Sequence, residues 1–310
     1  MLTYYAKRSG GEGFQATAQP REYTSWVHGS AVTQAELSEL VEQYGLAANI
    51  VRDVRDQDEL PRIEYGDENS MYIFLRTPHI NQQQEVRTTP LLVVAKKAKF
   101  FTLARGTSFR PEIVIERVSQ QPASASQLTL VTVAAVINEY ERLIRKTGRL
   151  VYDVGQRLKT QEVTNRDFVE FVTIEDNLNE CSTSLDAIQA LMQHLHENRR
   201  GIFKPHDIEM IDDLTLHIRQ LLVAVASQVQ SVRSIREANR TIANNSLNQR
   251  MKTLTVLTVL IALPNVFYGM YGMNVALPFA EQPWAYTVIV IFTFLIIFAV
   301  YGLARRLKIF

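Results

Sequence analysis

The sequence predicts an α+β domain with a long-helix bundle, followed by two C-terminal transmembrane helices, and three observations carry that expectation. Thr253 to Ala280 and Trp284 to Ala304 contain no Asp, Glu, Lys, Arg or His over 28 and 21 residues. Each exceeds the roughly 20 apolar residues that a helix needs to cross a hydrocarbon core. Nearly all of the 33 basic and 32 acidic residues precede Thr253, so a formal net charge of +1 hides a charged front part and an apolar end. Near residue 120 the pattern also changes, from short strand-like runs to helical spacing.

The first section, 1–120, reads as an α/β domain with a mostly antiparallel sheet. Trp26-Val27-His28 precedes Thr33-Gln34-Ala35-Glu36, a capping-box spacing that should start a helix running to Gly45. Ile63 to Tyr65 and Met71 to Arg76 are strand-like and joined through Gly66-Asp67-Glu68-Asn69; Leu91 to Ala95 and Phe100 to Leu103 flank Lys96-Lys97-Ala98-Lys99 in the same way.

After a Ser/Gln/Pro-rich linker near 119–127, the section 121–206 reads as two long antiparallel helices, Gln127 to about Thr160 and Asp167 to about Glu197, ended by Gly201 and Pro205. The section 207–273 reads as one stalk helix continuing into the first span; Asp207 to Gly272 would reach about 99 Å at 1.5 Å per residue. Leu214, Ile218, Leu221, Val225, Gln228, Val232, Ile235, Asn239 and Ile242 recur along it at alternating steps of four and three. That seam suits self-association around an axis or packing on the two preceding helices, and periodicity alone does not choose between them.

Residues 274–283 make a short outer loop, 284–304 the second span and 305–310 a basic tail. Arg250 and Lys252 precede the first span, Arg305, Arg306 and Lys308 follow the second, and the turn between carries no basic residue. By the positive-inside rule both termini are cytoplasmic, in a cell membrane. The start Met1-Leu2-Thr3-Tyr4-Tyr5 lacks the charged and apolar regions of a signal peptide. The charge balance argues against a nucleic-acid partner, and a single Cys181 excludes an intramolecular disulfide and suits a reducing compartment.

Catalysis has no visible home. The chain has no G-x-x-x-x-G-K-[ST], H-E-x-x-H, C-x-x-C or G-x-S-x-G, so no enzyme activity and no organic cofactor are expected. Gly10-Gly11-Glu12-Gly13 reads as a tail rather than a phosphate cradle, and His194 and His196 stand two apart and do not share a helix face. His217 reads as a packed or solvated side chain.

The informative stretch is Tyr268-Gly269-Met270-Tyr271-Gly272-Met273-Asn274-Val275, where the first span reaches the outer surface. A Gly-Met-Asn tripeptide at the end of the penultimate span, in a two-span C-terminal hairpin behind a long charged part, resembles the CorA family of magnesium channels over essentially all 310 residues. The resemblance implies a funnel-shaped homopentamer whose first spans line a pore, with membrane lipids around the second. It implies a selectivity filter at Gly272, Met273 and Asn274, and pore-facing residues at Asn248, Met251 and Leu254, a polar ring followed by two apolar constrictions. It also places Asp213 at an intersubunit regulatory Mg²⁺ site, with the partner acid among Glu64, Asp67 and Glu68. The helix dipole accounts for Asp207 and Glu209 in the first turn but poorly for Asp213.

The chemistry of the filter fits Mg²⁺, which releases its water shell reluctantly and is best gripped hydrated, by amide and backbone oxygens. A simple helix C-cap is the other reading of Asn274. The implied function is passive uptake of hydrated Mg²⁺, with Co²⁺ or Ni²⁺ as further cargo, gated by intracellular Mg²⁺. A divalent ion gains about 4.6 kcal/mol per 100 mV of inside-negative potential, enough to drive import without ATP. The loop Val275 to Pro283 departs from the family's acidic turn, leaving only Glu281 to attract cations. Carriage of Zn²⁺ or another divalent ion, and a non-transporting membrane-tethered sensor, are the competing readings.

Overall fold

Seven strands form one sheet: β1 (Leu2–Lys7), β2 (Phe14–Thr17), β3 (Thr24–Ser30), β4 (Arg62–Tyr65), β5 (Met71–Ile80), β6 (Val86–Lys96) and β7 (Lys99–Ala104). Their order is β2-β1-β3-β7-β6-β5-β4, with every pair antiparallel except β3 with β7. The computed structural model describes residues 1–7, 13–17, 24–118, 124–160, 164–274 and 282–306. Gly10-Gly11-Glu12, the centre of the Ser/Gln/Pro-rich linker, the loop from Val275 to Glu281 and residues 307–310, with Lys308, lie outside them.

Both faces of the sheet are covered, which explains why its central strands read as unbroken apolar runs. Tyr72, Phe74, Leu92, Val94, Phe101 and Leu103 pack with Leu37, Leu40, Ile50 and Val51 of the helices α1 (Gln34–Tyr44) and α2 (Ala48–Asp53). Their sequence neighbours Ile73, Leu75, Leu91, Val93 and Phe100 point the other way and are equally buried, as the two-residue period of a strand requires. That second face meets α4 (Ala125–Thr160) and α5 (Asn165–His196), with α3 (Pro111–Val118) packed on α4.

The capping box forms as its spacing predicts: Glu36 N–H donates to Thr33 Oγ1 at 3.3 Å and Thr33 N–H to Glu36 Oε2 at 2.9 Å. The helix ends at Gly45, whose φ of 62° is left-handed and suits glycine. The two predicted hairpins form as well, β4 with β5 and β6 with β7, but β5 and β6 run on through Pro78 and Pro90 and pair with each other. Pro90 is tolerated because its carbonyl, which accepts from Arg105 N–H at 3.3 Å, faces the end of β7. A strand residue points its N–H and C=O the same way, so the missing donor would have faced an ended strand.

Trp26 is wholly buried, and its Nε1 donates to Thr102 Oγ1 at 2.9 Å; His28 Nδ1 lies 2.9 Å from the same hydroxyl. Burial lowers the His28 pKa to about 4. Above about pH 6.5 the imidazole is neutral folded and unfolded, so it costs nothing there. Between about 6.5 and about 4 only the unfolded chain takes the proton, so stability falls with pH by up to about 3 kcal/mol. Thermal unfolding of the full chain should therefore drop between pH 7 and 4.5, and His28→Gln should flatten that drop.

α6 (Pro205–Tyr271) is one helix of 67 residues, and α7 (Ala285–Arg306) is the last. The chain divides into two units, Met1–Ser234 and Ile235–Phe310. Within the first, Leu214, Ile218, Leu221, Val225 and Val232 are buried, so the seam is used inside the chain over this length. The preceding helices lie alongside it: His217 Nε2 is 3.3 Å from Glu141, Arg233 Nε 3.5 Å from Glu175, and Gly148 faces Gln228 so closely that a Cβ would meet its amide nitrogen at 2.8 Å. Asp207, 2% exposed, accepts from Lys204 N–H at 3.0 Å and closes the helix start, as its place in the first turn suggests.

Candidate ion pathway

In the second unit, α6 and α7 pair through Phe267 and Phe292, whose rings meet edge to face with centroids 5.5 Å apart. Val256 lies eleven residues before Phe267, on the same side of the helix, and is also buried. At 100° per residue, Met251, Leu254, Thr258, Gly269 and Gly272 all fall within about 40° of Asn265, while Val256 and Phe267 lie about 180° to 200° from it. α7 therefore covers one face of α6 and leaves the opposite stripe open. Met251 is 55% and Leu254 57% exposed, and Asn248, one turn earlier, is exposed too.

Every residue from Arg240 to Thr255 is exposed, sixteen in a row on all faces of the helix. A lone helix of that length draws no tertiary stabilisation in water. In the spans few side chains are buried, Val256 in α6 and Ala285, Thr293 and Ala304 in α7, so neither is enclosed as the core helix of a soluble domain is. The Thr253, Thr255, Thr258 and Thr293 hydroxyls donate to carbonyls four residues back, which satisfies them in an apolar medium. Tyr268, Tyr271, Trp284 and Tyr286 gather at the loop end and Arg305 and Arg306 at the other, the arrangement of an aromatic belt and a basic inner flank.

The Gly272-Met273-Asn274 tripeptide lies at the end of α6. Gly272 N–H donates to Tyr268 O at 3.0 Å and Met273 N–H to Met270 O at 3.2 Å, so these two amides close the helix and Asn274 stands one residue beyond them, exposed. Asn265 is the functional candidate missed in the sequence. It is exposed on the open stripe, and it is the one carboxamide between Thr253 and Met273 in a span otherwise of apolar, hydroxyl and glycine residues. An amide facing lipid is costly, so its cost and its eleven-residue step from Leu254 were the available signals.

The structure does not bring together within one chain the four acids expected at a regulatory site, Asp213, Glu64, Asp67 and Glu68. Asp213 is exposed and has no ion pair among the described residues, while its neighbour Asp212 lies 3.2 Å from His196 Nε2. Glu64 is held by Arg62 Nε at 2.7 Å, a guanidinium that also binds Asp53 and Glu59 and sits over the Phe74 ring. Glu68 pairs with Lys97 at 2.9 Å and Lys96 at 3.6 Å, and the Lys97 hydrogen bond foremost holds its pKa below the usual carboxylate value. Asp67 is exposed without an ion pair, and no group of three or more His, Cys, Asp or Glu side chains converges among the described residues.

Residues 21–306 match the model of a CorA-like Mg²⁺ transporter protein. The chain belongs to the CorA family. It is 25% identical over 293 residues to the cobalt/magnesium transport protein CorA of Methanocaldococcus jannaschii, covering 88% of this chain and 89% of that one. It is 21% identical over 279 residues to the protein of the same name from Thermotoga maritima, covering 86% and 77%. The solved complete structure of the CorA magnesium transporter from M. jannaschii superposes with a TM-score of 0.85 over 99% of this chain and 98% of that one, at 19% identity. The α/β domain, long helices and two C-terminal apolar helices are therefore the CorA fold, and the chain is a CorA-family divalent cation transporter.

Proposed function

We propose that this CorA protein is a homopentameric channel for passive uptake of hydrated Mg²⁺ into the cytoplasm, with Co²⁺ and Ni²⁺ as secondary cargo and both termini inside a cell membrane. The observation that carries it is the open stripe of α6, which α7 leaves uncovered and which ends in Gly272-Met273-Asn274. Copies of the chain around an axis would bury the exposed segment from Arg240 to Thr255 and turn the stripe inward. Hydrated Mg²⁺ would then meet a ring of Asn274 oxygens, a second amide ring from Asn265, apolar constrictions at Leu254 and Met251, and a polar exit at Asn248. Nothing in this path needs a nucleotide, because the membrane potential acts on the ion itself.

The test is uptake into proteoliposomes without nucleotide, comparing Mg²⁺, Co²⁺, Ni²⁺ and Zn²⁺. Mg²⁺ should enter and compete with the others; flux of Zn²⁺ alone, or flux that follows a proton gradient, contradicts the proposal, and no flux at all favours a sensor.

For regulation, the proposal is that internal Mg²⁺ bridges Asp213 to an acid of the neighbouring subunit and holds the pore closed. Asp67 is the best placed of the three candidates, because Glu64 and Glu68 are already paired with cations. When Mg²⁺ falls, the facing carboxylates repel and the closed arrangement loses its advantage. Asp213→Lys supplies a fixed positive charge, so protease resistance and low flux should persist in chelator. A variant as protease-sensitive in chelator as the wild type removes Asp213 from the mechanism.

A further inference from the structure

On the α/β domain the C-terminus of α1, the β6–β7 turn and Glu68 enclose a cleft of about 380 Å³, within the range of small-molecule sites. Its floor is the part-exposed Tyr44 ring, which meets the buried Phe101 ring edge to face with centroids 5.2 Å apart. Its rim is basic, with Lys96, Lys97 and Lys99 against the single carboxylate of Glu68, a surplus of two positive charges.

Two of these cations have local roles. Lys96 Nζ donates to Tyr44 O at 3.2 Å and Gly45 O at 2.6 Å, capping α1, where a cation suits the helix dipole. Lys99 Nζ lies 4.5 Å above the Tyr44 ring. Lys97 is instead held by Glu68 across the cleft at 2.9 Å, and both residues sit at left-handed φ, 52° and 55°. Lys97 opens the two-residue β6–β7 turn, where a left-handed residue is usual, and Glu68 lies beside Asn69 in the β4–β5 turn, so both conformations belong to the turns that carry the pair. The Glu68 carboxylate occupies the place that an incoming anion would take.

We propose that this cleft binds a nucleotide, its base on the Tyr44 ring in place of the Lys99 ammonium and its phosphates displacing Glu68 from Lys97 and engaging Lys99. An aromatic ring beside a cluster of ammonium groups matches a ligand that is both flat and polyanionic. An acidic peptide would use the lysines but not the floor.

Calorimetric titration of the detergent-solubilised full chain with ATP tests this, with tripolyphosphate, a poly-glutamate peptide and the variants Lys97→Gln/Lys99→Gln and Glu68→Gln alongside. ATP should bind saturably, tripolyphosphate and the double lysine variant should show binding about tenfold weaker or more, and Glu68→Gln should bind ATP several-fold tighter by removing the internal competitor. That gain cannot come from a damaged fold. No saturable heat at millimolar ATP, tripolyphosphate or peptide binding as tightly as ATP, or no gain in Glu68→Gln overturns the proposal. The readout is heat and not ion flux, so it stands or falls independently of the transport reading.

Discussion

Mg²⁺ uptake by an Asn274→Ala protein should fall by at least about tenfold while the oligomer still assembles. The substitution removes a carboxamide one residue beyond the closing amides of α6 and disturbs neither the helix nor the apolar span. Hydrogen bonds to a charged partner are worth roughly 1.5 to 3 kcal/mol, and the coordinated water of Mg²⁺ is such a partner, so one lost bond per ion already gives about that factor. Asn274→Asp should fail differently, holding the ion tightly and slowing its exit. Wild-type uptake in Asn274→Ala, measured on protein of unchanged size by gel filtration, would falsify the filter assignment.

The opposite sign is expected further along the stripe. Leu254→Asn or Met251→Asp should raise basal uptake in the presence of internal Mg²⁺, because a narrow apolar ring closes a pore by dewetting and a polar ring admits water. Both side chains are more than half exposed in the single chain, so neither change empties a packed core. The effect should be about tenfold or more, since wetting removes the main barrier to a hydrated ion. Unchanged or lower basal flux would count against these residues as the gate.

What the sequence made legible follows from how local each signal is. The capping box at Thr33 and Glu36, the two hairpins and the long helices rest on neighbours three to five residues apart or on sustained periodicity. The charge-free spans needed only counting. β1, β2 and β3 were not read as strands, because β3 is fixed by its parallel partner β7, more than seventy residues away, as in Trp26 opposite Phe100. Pro78 and Pro90 masked the length of β5 and β6, because a proline is harmless only where its missing donor faces no partner, a property of the neighbour strand. The seam from Leu214 to Val232 fitted two packings, and the burial of its residues in one chain decided for the internal one. In the candidate ion pathway the tripeptide was legible as a motif. Asn265 was not, because its meaning lies in the face left bare by Phe267 and Phe292. The candidate partner acids Glu64, Asp67 and Glu68 looked equivalent in sequence; the cations Arg62, Lys96 and Lys97 separate them.

The central claim is that the bare stripe of α6 lines the ion path, and cysteine accessibility tests it most directly. The chain offers a clean background, since its single Cys181 is buried and burial pushes its thiol pKa up to about 12. Cysteines placed singly at Thr258, Asn265 and Gly269, and for contrast at Val256 and Phe267, are exposed to a water-soluble thiol reagent in proteoliposomes while Mg²⁺ uptake is followed. The first three should react, reaction should block uptake and external Mg²⁺ should slow it, whereas the last two should stay unmodified. Modification and block at Val256 and Phe267 with the stripe untouched would contradict the claim.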